Sequence, residues 1–280
     1  MSDELLRLTV LGCATPYPQV GNPCSGYLVS HGGTHVWVDA GTGTLGELRR
    51  YVQLDELDAI WISHMHADHT SDLLTAYYGA QYADVQLAAP IPLFGPAGIG
   101  DRLADYLTNS EVRSQIGNAF AIEELSDGHE AKVGTLTLTS RAVTHGMPAF
   151  AVRIEAESGD KDGEGGHEET SGGAGSLVYS GDAAPCDSLT SLAEGCDVLL
   201  CEAGDDQPPA ADGYISFHHT PEDAGATAAA VRAGRLIVTH LNHRVSAEQA
   251  VARASSRYDG PVECAAPGAS YAIGSGSGRR

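Results

Sequence analysis

Apolar residues along this chain fall into short runs broken by glycine and polar pairs, a rhythm that predicts strands before helices. LLRLTVLG at the start and GYLVSHGGTHVWVDAG after it read as strands, with Gly32 and Gly33 turning a hairpin. LDAIWIS is a further apolar strand, and TSDLLTAYYGAQYA behind it has the length and spacing of a helix capped by Thr70 or Ser71. Another helix is expected around Asp101 to Leu107, whereas KVGTLTLTSRAVTH, AFAVRIEA, SLVYSGDA and DVLLCEAG read as strands. The plainest helix lies within HHTPEDAGATAAAVRAGRLIVTH: Thr220 as N-cap, Pro221 in the first turn, Glu222 and Asp223 facing the helix dipole, an alanine-rich body and Gly234 as the stop. A strand ending in His240 follows it. These elements form two β-then-α halves of similar order, which predicts an α/β sandwich of two sheets with outer helices, built as one domain over 1–280.

Between Glu157 and Ser176 the chain reads ESGDKDGEGGHEETSGGAGS, too polar and glycine-rich to bury anything. The expectation for 157–176 is a mobile hairpin tip, with a lid as the alternative, and His167 within it is not expected to be a ligand.

Composition narrows the partners. The 280 residues are 42% hydrophobic, ample for a buried core, and carry 37 acidic against 16 basic residues, a formal charge of -21. Such a surplus repels polyphosphate backbones and anionic membranes, and no basic cluster relieves it, so general nucleic-acid binding is disfavoured. The N-terminus is acidic where a secretory signal would be basic, and no apolar run approaches the roughly 18 residues of a membrane span. The expectation is a cytoplasmic protein without a membrane anchor. Cys13, Cys24, Cys186, Cys196, Cys201 and Cys264 lack CxxC spacing, which favours free, mostly buried thiols over disulfides or a structural zinc site.

The candidate chemistry is concentrated in SHMHADHTSD, directly after an apolar strand. His64 and His66 stand two apart, so an extended backbone projects both imidazoles to one side, while Asp68 and His69 fall where the chain turns into the helix. Imidazoles beside a carboxylate suit a borderline divalent ion such as zinc. More candidates recur at strand ends: His145 after SRAVT, Asp182 after LVYSG, and His240 after LIVT.

The HxHxDH run at His64 to His69, with His145, SGDA at Asp182 and VTH at His240, resembles the metallo-β-lactamase superfamily over nearly the whole chain. That resemblance implies a four-layer αβ/βα sandwich. It also implies two metal ions, one held by His64, His66 and His145 and the other by Asp68, His69 and His240, with Asp182 bridging them. Zinc is the preferred ion, with manganese or iron also suited to such mixed sites. A water shared between two cations is deprotonated near neutral pH and aimed at carbon or phosphorus, so the implied reaction is hydrolysis. Aspartate at the bridging position argues against the branches that use a cysteine thiolate there, and Cys186 lies too late in the motif.

CEAG at Cys201 to Gly204, with His218 ahead of the capped helix, is similar to the paired motifs of the tRNase Z-like branch. By that resemblance Glu202 orients His218, and His218 protonates the leaving oxygen of a phosphodiester. Asp68, Glu202 and His218 are thus the residues assigned to catalysis, with Asp68 doubling as a ligand. His219 competes with His218, and a structural histidine pair ahead of a helix is the plain alternative. The basic or glycine-rich arm by which tRNA-processing members grip their substrate has no counterpart here, since the insertion is short and acidic. LGCATPYP, CSGYLVSHGG, PLFGPAG and YDGPVE look like smaller actinobacterial phosphodiesterases acting on cyclic phosphates or cyclic nucleotides. The leading expectation is a dinuclear phosphodiesterase for a small, anionic phosphodiester, as a possible homodimer. The alternatives are hydrolysis of a thioester, ester or lactone, and a non-catalytic binding module on the same scaffold. Tyr77, Tyr78 and Tyr82 are candidates for base stacking, with packing as the plainer reading, and Ser25 and Thr70 are candidates for a phosphate contact, with turn or capping roles as the alternative.

Overall fold

Alternation of apolar and polar residues sets the first strands in a meander: β1 (Leu6–Gly12), β2 (Gly26–His31) and β3 (Thr34–Val38), with Gly32 and Gly33 at positive φ in the tight turn between the last two. The computed structural model describes residues 5–83, 86–157, 175–207 and 216–274. The expected loop at 157–176, with His167, lies almost wholly outside them.

The first sheet continues through β4 (Ala59–Trp61), β5 (Ile91–Gly95) and β6 (Phe120–Glu124), which run parallel to β3. Helices α1 (Thr44–Leu48), α2 (Ala67–Thr70), α3 (Asp72–Tyr82) and α4 (Ile99–Leu107) lie in the connections. The second sheet opens with the meander β7 (Glu130–Val133), β8 (Leu136–Ala142), β9 (Phe150–Ala156) and β10 (Ser176–Tyr179), then adds β11 (Val198–Ala203), β12 (Leu236–Leu241) and β13 (Val262–Cys264) in parallel. Its connections carry α5 (Asp187–Ala193), α6 (Pro221–Ala230) and α7 (Ala247–Ser255), and the last strand, β14 (Ser270–Ile273), returns to pair with β1. Among the described residues the orders are β14-β1-β2-β3-β4-β5-β6 and β13-β12-β11-β10-β9-β8-β7. Each half therefore builds an antiparallel meander and a parallel run, the kinship read from the sequence.

Burial follows the period of two. In β4, Ala59 and Trp61 face the opposite sheet while Ile60 packs on the outer helices. Between the sheets lie Leu8, Tyr27, Val38 and Trp61 from one side and Leu138, Val152, Tyr179 and Leu200 from the other. Outside the first sheet, Trp37 and Ile60 meet Leu73 and Leu103, and outside the second, Val178 and Cys201 meet Ala224 and Ala250. Helix, sheet, sheet, helix is the four-layer arrangement expected. Trp61 ties the layers together by donating its Nε1 hydrogen to Ser140 Oγ of the facing sheet, 3.1 Å away.

Local differences have physical reasons. Thr70 and Ser71 do not cap a helix, because the chain is already helical from Ala67, and their hydroxyls donate back to His66 O at 2.9 Å and Ala67 O at 2.6 Å. Thr220 does cap α6, accepting from Asp223 N while Asp223 Oδ2 accepts from Thr220 N. That helix ends at Ala230, before Gly234, as Arg232 turns into the left-handed region at φ 54°. The strands before His145 and Asp182 stop at Ala142 and Tyr179, so both residues sit on the loops just beyond. All six cysteines are free, four buried and two partly so.

Candidate metal centre

The seven side chains read as ligands come together where the two sheets' strand ends face each other. His64 and His66 extend from the loop after β4, and Asp68 and His69 occupy the single turn of α2 that follows. His145 comes from the β8–β9 connection, Asp182 from the loop after β10, and His240 from the end of β12. Two local backbone devices aim the last two. Gly181 at φ 56° brings the chain against Phe150 O, where a Cβ would stand only 2.6 Å away. His240 sits at φ 51° in a bulge, since Glu202 pairs with Thr239 but Ala203 with Leu241.

Three groups of potential ligands lie together here, the third being Asp182, His218 and His240, which shares two members with the others. His64, His66, His145 and Asp182 form the first and Asp68, His69 and His240 the second, each with its potential ligand atoms within 4.8 Å of one another. Asp182 joins them: its carboxylate oxygens lie 3.7 Å from His64 Nε2, 3.4 Å from His69 Nε2 and 3.2 Å from His240 Nε2. Asp68 Oδ2 lies 3.7 Å from His69 Nε2 and 4.0 Å from His240 Nε2, and it accepts from Thr15 Oγ1 at 3.2 Å. His64 Nε2 and His66 Nδ1 converge to 2.9 Å, and His145 Nε2 stands 3.4 Å from the same His66 nitrogen.

Partners behind the rings fix which nitrogen faces inward. Carboxylates and carbonyls only accept, so His69 Nδ1–H donates to Asp39 Oδ2 at 2.7 Å and His145 Nδ1–H donates to Phe217 O at 3.0 Å. Ser63 Oγ donates to Asp39 Oδ2 and is left to accept from His64 Nδ1–H at 3.0 Å. His240 Nδ1 is bonded to Ser25 Oγ at 2.8 Å. In His64, His69 and His145 Nδ1 is thus tied back, which leaves Nε2 as the nitrogen turned toward the cavity, the one a metal would take once it is unprotonated.

Burial, then the charge of neighbouring His69, holds His64 well below the usual histidine range, and burial followed by His145 lowers His66. For His69 burial also works against the charged ring, but Asp182 and Asp39 outweigh it and hold its pKa well above the ordinary value. Asp182, whose burial favours the neutral acid, is kept ionised far below the usual carboxylate range by His240, His69 and His64. His69 Nε2 and Asp182 Oδ1 are both buried and have no hydrogen-bond partner among the described residues. Leaving two such atoms unpaired is costly, and a divalent cation between them satisfies both, so the donor set fits the implied metal.

Glu202 and His218 adjoin the cluster. Glu202 is fully buried at the end of β11 and accepts from Ala183 N at 2.9 Å, Gly204 N at 2.5 Å and His218 Nδ1 at 2.9 Å. The His218 side chain remains 27% exposed, and 3.9 Å separates its Nδ1 from Asp182 Oδ2. Burial works against a charged His218, but the Glu202 carboxylate, then Asp182 and Asp205, push it up to about 9. Gly204 makes the pairing possible, since a Cβ there would stand 2.8 Å from His218 Nδ1 and 3.1 Å from Glu202 Oε2. His219 points away: it is fully buried and bonds Ala183 O and Thr227 Oγ1, which is a structural role.

The alternatives left open for Ser25 and the tyrosines are narrowed. Ser25 is completely buried behind His240 and positions that ring, so it is not placed for a phosphate. Tyr77 is buried in the helix–sheet core, while Tyr78 and Tyr82 pack on each other at 5.3 Å between centroids. The sequence reading passed over Asp39, which takes four hydrogen bonds, from Ser63 N, Ser63 Oγ, His69 Nδ1 and Tyr179 OH. Its signal was an aspartate closing the apolar run HVWVD, the same sign that marked Asp182.

Known proteins agree with this architecture. The family described as Beta-lactamase superfamily domain matches residues 34–241. An uncharacterised protein of Mycobacterium leprae is 31% identical over 276 residues, covering 96% of this chain and 89% of its own. The crystal structure of YhfI from Bacillus subtilis, a metallo-β-lactamase fold protein, superposes with a TM-score of 0.77 at 25% identity, over 95% of this chain and 99% of that one. Ribonuclease Z of Bacillus licheniformis is 29% identical over 252 residues, covering 76% of this chain and 80% of the ribonuclease. The chain belongs to the metallo-β-lactamase superfamily. It is a metal-dependent hydrolase of that superfamily, with ribonuclease Z among its relatives. No described helix is long and apolar enough to cross a membrane.

Proposed function

We propose that this hydrolase is a dinuclear phosphodiesterase that opens a small cyclic or simple phosphodiester. The Glu202–His218 pair carries the reading. The alkoxide expelled from a phosphodiester is a poor leaving group, and a protonated imidazole beside it lowers that barrier by general-acid catalysis. His218 suits that role: Glu202 holds it at 2.9 Å through Nδ1 and favours the charged ring, and the side chain is only partly buried, which leaves Nε2 free of that bond to face a leaving oxygen. Two divalent cations, zinc by preference, would supply Lewis acidity to activate water and to offset charge on the phosphoryl oxygens, held by the two histidine groups with Asp182 between. Asp68, fixed by Thr15, lies beside His69 and His240 where it can orient the attacking water. The relative named as a ribonuclease supports phosphoryl chemistry, and the formal charge of -21 favours a small substrate over RNA.

The test is a zinc-supplemented preparation offered bis(p-nitrophenyl) phosphate, a cyclic nucleotide and an acyl thioester side by side. Phosphodiester turnover that His218→Ala removes without loss of metal supports the reading. Turnover confined to the thioester, and indifferent to His218→Ala, overturns it.

A further inference from the structure

A cavity of about 300 Å³ lies between α2–α3 and α4, walled on one side by the loop that carries the first candidate ligands. Met65 and Ala67 line it, and they alternate with His64 and His66, whose rings belong to the metal centre. Small residues hold the helices apart there: Ala67, Thr70 and Ser71 leave room before Leu74 closes the wall. On the facing helix Ile99, Arg102, Leu103 and Tyr106 follow the i, i+3, i+4, i+7 spacing of a single face. Thr70 and Ser71 spend their hydroxyl hydrogens on His66 O and Ala67 O, so neither offers a donor to the cavity.

Arg102 is the one charged side chain among the lining residues. Its acidic neighbours on the helix are already taken, since Arg113 pairs with Asp101 at 2.8 Å and with Asp105 at 2.7 Å. Arg102 is left without an ion pair or a side-chain hydrogen bond among the described residues. Tyr106 stands one turn further along the same face, exposed, and its hydroxyl likewise has no partner among the described residues. A guanidinium and a phenol, both donors with nothing to donate to, thus border a trough whose apolar surface comes from Met65, Leu74, Ile99 and Leu103. In a chain of formal charge -21 such an isolated cation attracts a single negative charge, whereas a polyanion is repelled by the acidic surplus around it.

We propose that this cavity is an effector site for an amphipathic monoanion, a carboxylate on a short hydrocarbon body, whose binding braces the loop that presents His64, His66, Asp68 and His69. The guanidinium takes the carboxylate through paired N–H donors, the Tyr106 hydroxyl adds another, and the hydrocarbon covers the apolar trough. The volume stands at the small end of ligand pockets, which suits a body of medium chain length and not a long lipid. A ligand packed against Met65 and Ala67 restricts the very segment that holds four of the candidate metal ligands. Ligand and metal then strengthen each other's binding by the same factor. None of this depends on whether the centre cleaves at phosphorus or at carbon.

Isothermal titration of the zinc-supplemented full chain with octanoate, octan-1-ol and butyrate separates the charged head from the apolar body. Octanoate is expected to bind at least about tenfold more tightly than either, since the alcohol lacks the charge and butyrate most of the hydrocarbon. Arg102→Ala is expected to bring octanoate down to the affinity of the alcohol, and Tyr106→Phe to weaken it several-fold. Both side chains are exposed and stand outside the candidate ligand set, so zinc affinity without octanoate should match the parent in each variant. Octanoate held by the metals instead is indifferent to Arg102→Ala, and that result, or equal affinity for octanoate and octan-1-ol, overturns the site. In competition with a chromophoric chelator, saturating octanoate should tighten zinc binding several-fold in the parent and not in Arg102→Ala. Zinc affinity unmoved by bound octanoate overturns the effector role. Octanoate binding that fades as the chain self-associates at rising concentration would give this face to a second copy and overturn the site as well.

Discussion

Tyr179 OH donates to Asp39 Oδ2 over 2.8 Å, and that same oxygen accepts the His69 Nδ1 hydrogen at 2.7 Å. Tyr179 belongs to the second sheet and Asp39 to the first, so a contact across the sandwich sets the orientation of a candidate ligand. Supporting partners of this kind are typically worth about 10- to 100-fold in metal affinity. Tyr179→Phe is therefore expected to weaken zinc binding toward the lower end of that range, and Asp39→Asn toward the upper, in competition with a chromophoric chelator. Unchanged affinity in both variants would show that the network does not support the ligand.

His218→Ala is expected to lower phosphodiester turnover by about 10²- to 10⁴-fold, the usual contribution of a positioned acid, while elemental analysis finds the metal content of the parent. A parallel loss of metal would instead assign His218 to the ligand set, a role that its grouping with Asp182 and His240 makes geometrically available.

Gly204→Ala tests the same pair by crowding it. The added Cβ meets His218 Nδ1 and Glu202 Oε2 inside contact distance, so the imidazole must shift. Turnover should fall by at least tenfold with the thermal midpoint nearly unmoved, and wild-type kinetics in this variant would mean that the pair tolerates displacement.

In metal-depleted protein the His218 ring signals, followed by NMR, are expected to titrate near pH 9 and to move back toward the ordinary histidine range in Glu202→Gln. The folded pKa lies above the unfolded value of about 6.5, so the group's stabilising contribution is fully present below that value and is lost as pH rises through about 9. The metal-depleted protein should accordingly show a steeper decline in thermal midpoint across that window than Glu202→Gln does. Parallel declines would remove Glu202 as the cause.

Much of this site was legible because ligand chemistry and strand ends coincide. His64, His66, His145, Asp182 and His240 each follow an apolar run, and a run that ends in a metal-ligating type is visible without coordinates. Asp39 follows one too, yet its meaning depends on being buried under four donors, and burial of one carboxylate among 37 acidic residues is not written in local pattern. Ser25 stayed ambiguous for the same reason: a hydroxyl in a turn can face a ligand or the interior, and only the packing of His240 over it decides between them. In the fold, α6 announced itself through its capping residues, whereas the five-residue α1 and seven-residue α5 are held by packing against the sheets and carry too little period of their own.

The candidate ligands are divided between the two halves of the chain: His64, His66, Asp68 and His69 follow the first sheet's β4, and His145, Asp182 and His240 belong to the second. A cation held by both would act as a rivet through the sandwich. Supply of the ion would then govern how firmly the layers stay clasped as well as whether catalysis runs, so starvation for it should expose the protein to proteolysis before any residue changes.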